Sequence, residues 1–114
     1  QVSGQTAKAL AKFSAIAREE PNNAVAQYSL AAINASLGLY DQALKQLQSA
    51  DEVNSADWNN LMGYSLRKKQ PPDLAASEKY YQAALKIDPS HRSAMEYYGE
   101  LLLMKQDHVC TSTT

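Results

Sequence analysis

The sequence has little cysteine, almost no excess charge and no long hydrophobic run. Cys110 is the single cysteine among 114 residues, so no disulfide forms within the chain. Cysteine usage alone therefore separates neither oxidising from reducing compartments. We leave the localisation open, with the cytoplasm slightly favoured over the periplasm or secretion.

The charge and hydropathy pattern disfavours two classes of partner. A formal net charge of -1 gives no electrostatic reason to expect nucleic acid or an anionic membrane surface. The longest apolar stretches, such as Leu101 to Met104, fall far short of the roughly 20 residues that span a bilayer. We expect no nucleic-acid partner and no membrane segment.

The residue patterns of a catalytic or metal site are also missing. His91 and His108 have no Cys, Asp or Glu at ligand spacing around them. Neither a Gly-rich phosphate loop nor a nucleophile elbow occurs. Glu96 and Glu100 lie four residues apart, but two glutamates on a helix are more often solvated than catalytic. We expect a protein that is not an enzyme and uses no cofactor or metal.

What the sequence does contain is a spacing of thirty-four residues, obtained by subtracting residue numbers. Three sets of apolar or small residues repeat at this distance: Ala9, Ala43 and Ser77; Phe13, Leu47 and Tyr81; Ile16, Ala50 and Ala84. A period of this length is typical of helix-turn-helix units that stack on one another. The spacing predicts an array of helical hairpins.

Proline and glycine mark the ends of the predicted helices. The helices are expected at about residues 5–19, 24–37, 40–53, 57–69, 74–87 and 91–105. Gly38 is expected to end the second in a left-handed conformation, and Asp73 to cap the fifth. The corresponding domain, residues 1–107, has a lone helix (5–19), two repeats (24–55 and 56–91) and a partial repeat (92–107). A polar tail, residues 108–114, follows.

The first helices of the units depart from the period. Ala31, Gly63 and Gly99 are separated by 32 and then 36 residues, by subtraction. A shorter connection after Val53 and a longer turn at Pro71 account for the shift, because loops absorb length changes more cheaply than packed faces.

Residues at matching positions in each unit carry a family resemblance. They are Leu30, Ala31, Gly38, Tyr40, Ala43, Leu47 and Ala50 in the first full unit, Met62, Gly63, Leu66, Tyr81, Ala84 and Pro89 in the second, and Met95, Tyr98, Gly99 and Leu102 in the third. From about Thr6 to Asp107 the sequence resembles tetratricopeptide repeat proteins. The resemblance implies an all-α fold in which antiparallel helix hairpins stack as a short right-handed solenoid of about six helices.

The pattern also predicts which residues are packed and which are irregular. Small residues are expected where helices cross closely, at positions 31, 50, 63, 84 and 99, and tyrosines 40, 81 and 98 are expected in the core. Asn34 and Asn59 replace large apolar residues, so a buried amide at Asn34 would need a hydrogen-bond partner. Trp58 is expected to fill the space beside Asn59. Residues 108–112 predict no second helix for the third unit.

In this family the first helix of each unit lines a concave groove that holds peptide segments. The resemblance implies a non-enzymatic interaction module whose groove residues are Tyr28, Asn60, Tyr64, Arg67, Lys68, Glu96 and Glu100, with Ala32, Ala35 and Ser36 beside them. The first unit offers only apolar and small residues where a clamp for a C-terminal carboxylate would begin, so that clamp is not expected. The alternatives are a structural self-association domain and a fragment of a longer scaffold.

The two lone helices predict a homodimer. We expect Leu101, Leu102, Leu103 and Met104 to be exposed on the last helix, and one side of the Ala9, Phe13 and Ile16 stripe on the first. Unburied leucine and methionine side chains favour covering one another. The ends are expected to associate by stacking or by exchange of a terminal helix, with Leu101, Leu102 and Met104 in the interface.

Overall fold

The computed structural model describes the backbone of residues 3–113 and the side chains of residues 3–106. Within this range there are six α-helices and no strand. The chain divides into two compact units, the first ending at Glu52 and the second beginning at Val53. Unit 1 contains α1 (Gly4–Glu19), α2 (Ala24–Ser36) and α3 (Tyr40–Ala50), and unit 2 contains α4 (Ala56–Lys68), α5 (Leu74–Ile87) and α6 (Arg92–Thr113). The prediction of an all-α repeat fold is confirmed.

Unit 1 is built on the α2–α3 hairpin, and α1 packs against α2. Its core contains Leu30 and Ala31 from α2 and Ala43 and Leu47 from α3. No residue of α1 is buried. The hairpin therefore supplies the hydrophobic centre of this unit, while α1 lies at its edge.

The helix ends in unit 1 follow local backbone chemistry. The Asn23 side chain accepts a hydrogen bond from the Ala26 amide at 3.0 Å and starts α2. Gly38 has φ +81°, as predicted for the end of α2. Asp51 takes the left-handed conformation at φ 49° and ends α3 at Ala50. The predicted end at Val53 was therefore too late.

Unit 2 is built on the α4–α5 hairpin, with α6 in contact with both helices. Asp73 caps α5 by accepting a hydrogen bond from the Ala76 amide at 3.1 Å, as predicted. The Ser77 hydroxyl donates to the Gly63 carbonyl at 2.6 Å, which joins the two helices at their crossing. The buried apolar residues of this unit are Trp58, Met62, Tyr81, Ala84, Ala94 and Leu101.

Both asparagines that replace apolar residues are buried and hydrogen-bonded. The Asn34 amide donates to Gln46 Oε1 at 2.8 Å, across the α2–α3 hairpin. The Asn59 amide donates to the carbonyls of Val53 and Ser55, at 2.9 and 2.8 Å, and so fixes the segment before α4. Trp58 is buried beside it. The expected partner for Asn34 and the expected burial of Trp58 are both confirmed.

Several expectations for α6 were wrong. Leu101 is fully buried, not exposed, because it packs inward within unit 2. Gly99 is exposed, and an added Cβ would meet no atom within 4 Å, so the described residues make no close crossing there. The helix also continues to Thr113, past the predicted end at Lys105. The side chains of the predicted tail, Cys110 among them, lie outside the described residues.

The predicted burial of the tyrosines and of the small residues is confirmed at some positions and only partly at others. Tyr81 and Ala84 are fully buried. Tyr40, Tyr98 and Ala50 are only half-buried. Burial is therefore complete at these two positions of α5 and partial at both ends of α3 and at Tyr98 on α6.

Candidate functional site

Four of the predicted groove residues share one face of α4. Asn60, Tyr64, Arg67 and Lys68 follow one another at helical spacing, so their side chains project from the same side. The start of α4 is set by Ser55, whose hydroxyl accepts a hydrogen bond from the Trp58 amide at 3.2 Å.

The start of α6 is tied to the start of α4. The His91 Nδ1 atom accepts a hydrogen bond from the Ala94 amide at 3.1 Å. The proton of the neutral ring therefore lies on Nε2, which donates to Asp57 Oδ1 at 2.6 Å. This contact fixes the part of α6 that carries Tyr97 and Glu100 beside the α4 face.

A pair of tyrosine rings forms the centre of the site. Tyr64 on α4 and Tyr97 on α6 have ring centroids 5.0 Å apart and ring planes inclined at 44°. The Arg67 guanidinium lies 5.7 Å from the first centroid and 5.6 Å from the second, which is within cation–π range. We call Tyr64, Tyr97 and Arg67 the aromatic cluster.

Arg67 is only 7% exposed, and its donors serve other helices of unit 2. Its Nε donates to the Tyr81 hydroxyl on α5 at 3.4 Å. Its Nη1 lies 3.7 Å from the Met104 sulfur and 3.7 Å from Glu100 Oε1, both on α6. Arg67 thus links α4 to α5 and α6, and its main effect on the surface is to hold the two tyrosine rings in place.

Charged side chains of both signs surround the aromatic cluster. Lys68 is exposed, with its Nζ 5.8 Å from the Tyr64 centroid. Glu96 and Glu100 are exposed on α6. On α4, the Asn60 Oδ1 atom is buried and has no hydrogen-bond partner among the described residues. The arrangement offers aromatic surface with a cationic donor on α4 and carboxylate acceptors on α6.

The predicted groove residues are divided between the two units. Tyr28 lies half-buried on α2, in unit 1. Ala35 on the same helix is buried, and the Ser36 hydroxyl donates to the Ile33 carbonyl at 2.6 Å. The structure brings together Tyr64, Arg67, Lys68 and Glu100 in unit 2.

Sequence reasoning missed Tyr97. Three residues before Glu100, it lies on the same helix face, and this spacing was the signal that could have found it. A second missed cluster holds α5 to α6: the Tyr98 hydroxyl donates to Glu78 at 2.8 Å, and Lys105 pairs with the other Glu78 oxygen. The hydrogen bonds from Lys105 and Tyr98 lower the pKa of Glu78. Burial, followed by the Glu78 contact, raises the pKa of Tyr98.

Two further features are absent from the described residues. Among them, no group of three or more His, Cys, Asp and Glu side chains is placed to hold a metal ion. Across the same range, no helix combines the length and apolar character that crossing a membrane requires.

Helical hairpins with small residues at their crossings define the class of helical-repeat proteins. A tetratricopeptide repeat family model matches residues 3–63, and a second tetratricopeptide repeat model matches residues 73–109. The chain belongs to the tetratricopeptide repeat family, as the sequence pattern predicted. Comparison with curated proteins gave no match. Tetratricopeptide repeats generally mediate protein–protein interactions.

Proposed function

We propose that this chain is a non-enzymatic module that binds a peptide segment of a protein partner on the α4–α6 face of unit 2. The observation that supports the proposal is the aromatic cluster, in which a buried arginine holds two tyrosine rings 5.0 Å apart. The residues of this binding face are Asn60, Tyr64, Lys68, Tyr97, Glu96 and Glu100, supported by Arg67.

The cluster is suited to binding because it is already ordered. Tyrosine supplies a large contact area with few rotatable bonds, so ordering it costs little entropy. The contacts of Arg67 with Tyr81, Glu100 and Met104 restrict the rings further. A peptide that packs an apolar or aromatic side chain on these rings would pay little to order the surface.

The charged rim indicates what kind of segment fits. Lys68 offers a cation on α4, while Glu96 and Glu100 offer anions on α6. A segment of one charge sign would be repelled on one side, whereas a segment with both signs around an apolar residue would be matched on both. The Asn60 carboxamide could pair with the peptide backbone after rotating about its side-chain bonds.

The test begins with selection of peptides from a random phage-displayed library on the full chain. Binding of each selected peptide is then measured by nuclear magnetic resonance titration. We expect shifts to concentrate on α4 and α6, and Tyr97→Ala to weaken binding about tenfold or more, because aromatic anchors dominate such interfaces. Lys86→Ala, on the exposed side of α5, is the matched control and leaves binding unchanged.

The triple variant Tyr64→Ala, Arg67→Ala, Lys68→Ala removes the α4 side of the face, and its folding is checked by circular dichroism. Selected peptides that bind this folded variant as tightly as the parent chain would refute the proposed face. Tyr28→Ala, measured with the same peptides, tests whether the predicted groove residue of unit 1 contributes.

A further inference from the structure

Among the described residues of unit 2, one face of α6 is uncovered. Met95, Leu102 and Leu103 are 52%, 44% and 62% exposed. Gly99 lies between them and has open space where a Cβ would be. These four residues follow one another at helical spacing and share one side of the helix. We call them the α6 end face; Tyr97 and Glu100 of the peptide-binding face point elsewhere.

By position in the repeat, the α6 end face is equivalent to a face of α4 that another helix covers. The N-terminal caps of α4 and α6 show how the two helices align. The Ser55 side chain accepts a hydrogen bond from the Trp58 amide, and the His91 side chain accepts one from the Ala94 amide, so residue 55 is equivalent to residue 91. In this register Gly99, Leu102 and Leu103 match Gly63, Leu66 and Arg67. On α4 that face is covered by α5, with the Tyr81 ring against Gly63 and the Tyr81 hydroxyl accepting from Arg67.

The first helix, α1, occupies the same position in the repeat as α5, the helix that covers α4. By the thirty-four-residue period, Ala9, Phe13 and Ile16 on α1 match Ser77, Tyr81 and Ala84 on α5. The three α5 residues are buried against α4 and its neighbours, whereas all three on α1 are only half-buried. Within the described residues α1 contacts α2. Among the described residues, no helix pairs with α1 in the way that α4 pairs with α5.

The residues of α6 and α1 at the positions of such a crossing are complementary in polarity. The polar pair Arg67 and Tyr81 in the α4–α5 crossing corresponds to Leu103 and Phe13, which are both apolar. Ser77, which donates to the Gly63 carbonyl, corresponds to Ala9. A crossing between α6 and α1 would therefore leave no polar group of these positions unpaired.

The sizes also match. A large ring on the covering helix requires glycine beneath it, as Gly63 and Tyr81 show. In unit 1 the equivalent positions hold Ala31 and the smaller Leu47, both fully buried. Gly99 retains the space for a ring, and Phe13 on α1 is the aromatic residue at the ring position.

We propose that the α6 end face of one copy receives α1 of a second copy, with Phe13 over Gly99 as Tyr81 lies over Gly63. The contact completes a hairpin between two molecules. It joins different surfaces of the two copies, so it produces closed rings or open chains rather than a pair of identical contacts. The proposal is independent of peptide binding, because it uses another face of α6.

Sedimentation velocity of the full chain over a micromolar concentration series tests this contact. We expect species heavier than the 12.5 kDa monomer to increase with concentration. Gly99→Glu blocks the α6 end face, and Phe13→Asp blocks α1, so each variant alone is expected to be monomeric. Ser93→Glu, which places the same charge on an exposed residue elsewhere on α6, is expected to associate like the parent chain. Ala9→Glu replaces Phe13→Asp if circular dichroism shows that the latter does not fold.

Mixing the two blocked variants gives the decisive result. One retains a free α1 and the other a free α6 end face, so the mixture should form a one-to-one dimer that neither variant forms alone. Failure of the mixture to pair, or a parent chain that stays monomeric throughout the series, would overturn the proposal. A Phe13→Asp variant that still dimerises would show an α6–α6 contact instead and would also overturn it.

Gly99→Ala separates association from folding. It adds a Cβ where the monomer has open space, and alanine favours a helix over glycine, so the monomer should melt at a higher temperature. The same Cβ obstructs the ring of Phe13, and association should weaken about tenfold. A variant that melts higher and associates as strongly as the parent chain would contradict the placement of Phe13.

Discussion

The ring of Tyr81 on α5 lies directly against Gly63 on α4. A Cβ at residue 63 would be 2.8 Å from Cδ1 and 2.9 Å from Cε1 of the ring. Tyr81 is fully buried, and its hydroxyl accepts a hydrogen bond from Arg67. An added Cβ would therefore force the ring or the helix backbone to shift. The α4–α5 crossing of unit 2 depends on the absence of a side chain at this one position.

In Gly63→Ala the added methyl group overpacks the crossing, which costs about 1–3 kcal/mol. Alanine's better helix propensity returns about 1 kcal/mol, so we expect a net destabilisation of up to about 2 kcal/mol. Gly99→Ala is the matched control, since its Cβ meets nothing and should stabilise by about 0.5–1 kcal/mol. Urea denaturation measures both, and a Gly63→Ala variant as stable as Gly99→Ala would contradict the crossing.

The double variant Gly63→Ala, Tyr81→Leu reproduces the residues that unit 1 has at the equivalent positions, Ala31 and Leu47. We expect the second change to recover part of the loss caused by the first, because the smaller side chain makes room for the methyl group. The two changes should therefore be non-additive by more than about 0.5 kcal/mol. Additive losses would show that the ring does not limit residue 63.

Ala84→Leu is expected to cost more than Ala50→Leu. Ala84 is fully buried on α5, and a larger residue there should cost about 1–3 kcal/mol. Ala50 is half-buried at the last residue of α3, where the added side chain has room to turn toward solvent. Lys45→Ala and Lys86→Ala, at exposed positions of the same helices, should stay within about 0.5 kcal/mol of the parent chain. Thermal melts that reverse this order would contradict the helix faces.

The repeating positions made much of unit 2 predictable. The bounds of α5 are those expected, because Asp73 caps its start and Pro89 follows shortly after its end. Gly63 was predicted at a close helix crossing and Tyr81 in the core, because both carry the repeat pattern. The sequence was sufficient to predict packing where a residue and the residue that it contacts both occupy repeat positions.

The failures have a common cause in α6. Leu101 to Met104 form a full helical turn of apolar residues, so the sequence alone does not tell which of them faces the core. Packing within unit 2 buries Leu101 and leaves Leu102 and Leu103 exposed. Gly99 carries the repeat pattern but has no covering helix among the described residues. The burial of Arg67 was missed because it depends on three side chains from other helices, namely Tyr81, Tyr97 and Met104.

Arg67→Ala is expected to destabilise the chain by about 1–3 kcal/mol, although it removes only one charged residue. The buried stem and guanidinium fill space between two rings, and the Tyr81 hydroxyl loses its donor. Arg67→Lys should restore little, because an ammonium lacks the planar guanidinium that lies near both rings.

Glu100→Gln is the matched test of the ion-pair contribution. The Glu100 side chain is 57% exposed and lies 3.7 Å from Arg67, so its loss should cost less than about 1 kcal/mol. If urea denaturation showed Glu100→Gln to be as costly as Arg67→Ala, the ion pair and not the burial of Arg67 would be the main interaction.

The Glu78 cluster is expected to make stability depend on pH in the acid range. Hydrogen bonds from Lys105 and Tyr98 lower the pKa of Glu78 in the folded chain below its ordinary value of 4.5. The folded state therefore favours the charged carboxylate, and its stabilising effect is fully present above the ordinary pKa. As the pH falls through the lowered pKa, the carboxylate is protonated and the effect is lost.

Glu78→Gln should melt below the parent chain at neutral pH, and the difference should shrink in acid. Glu96→Gln, the same change at an exposed residue of α6, corrects for the loss of one negative charge. A difference between Glu78→Gln and the parent chain that stays constant through the acid range, after this correction, would show that the cluster does not depend on the charge of Glu78.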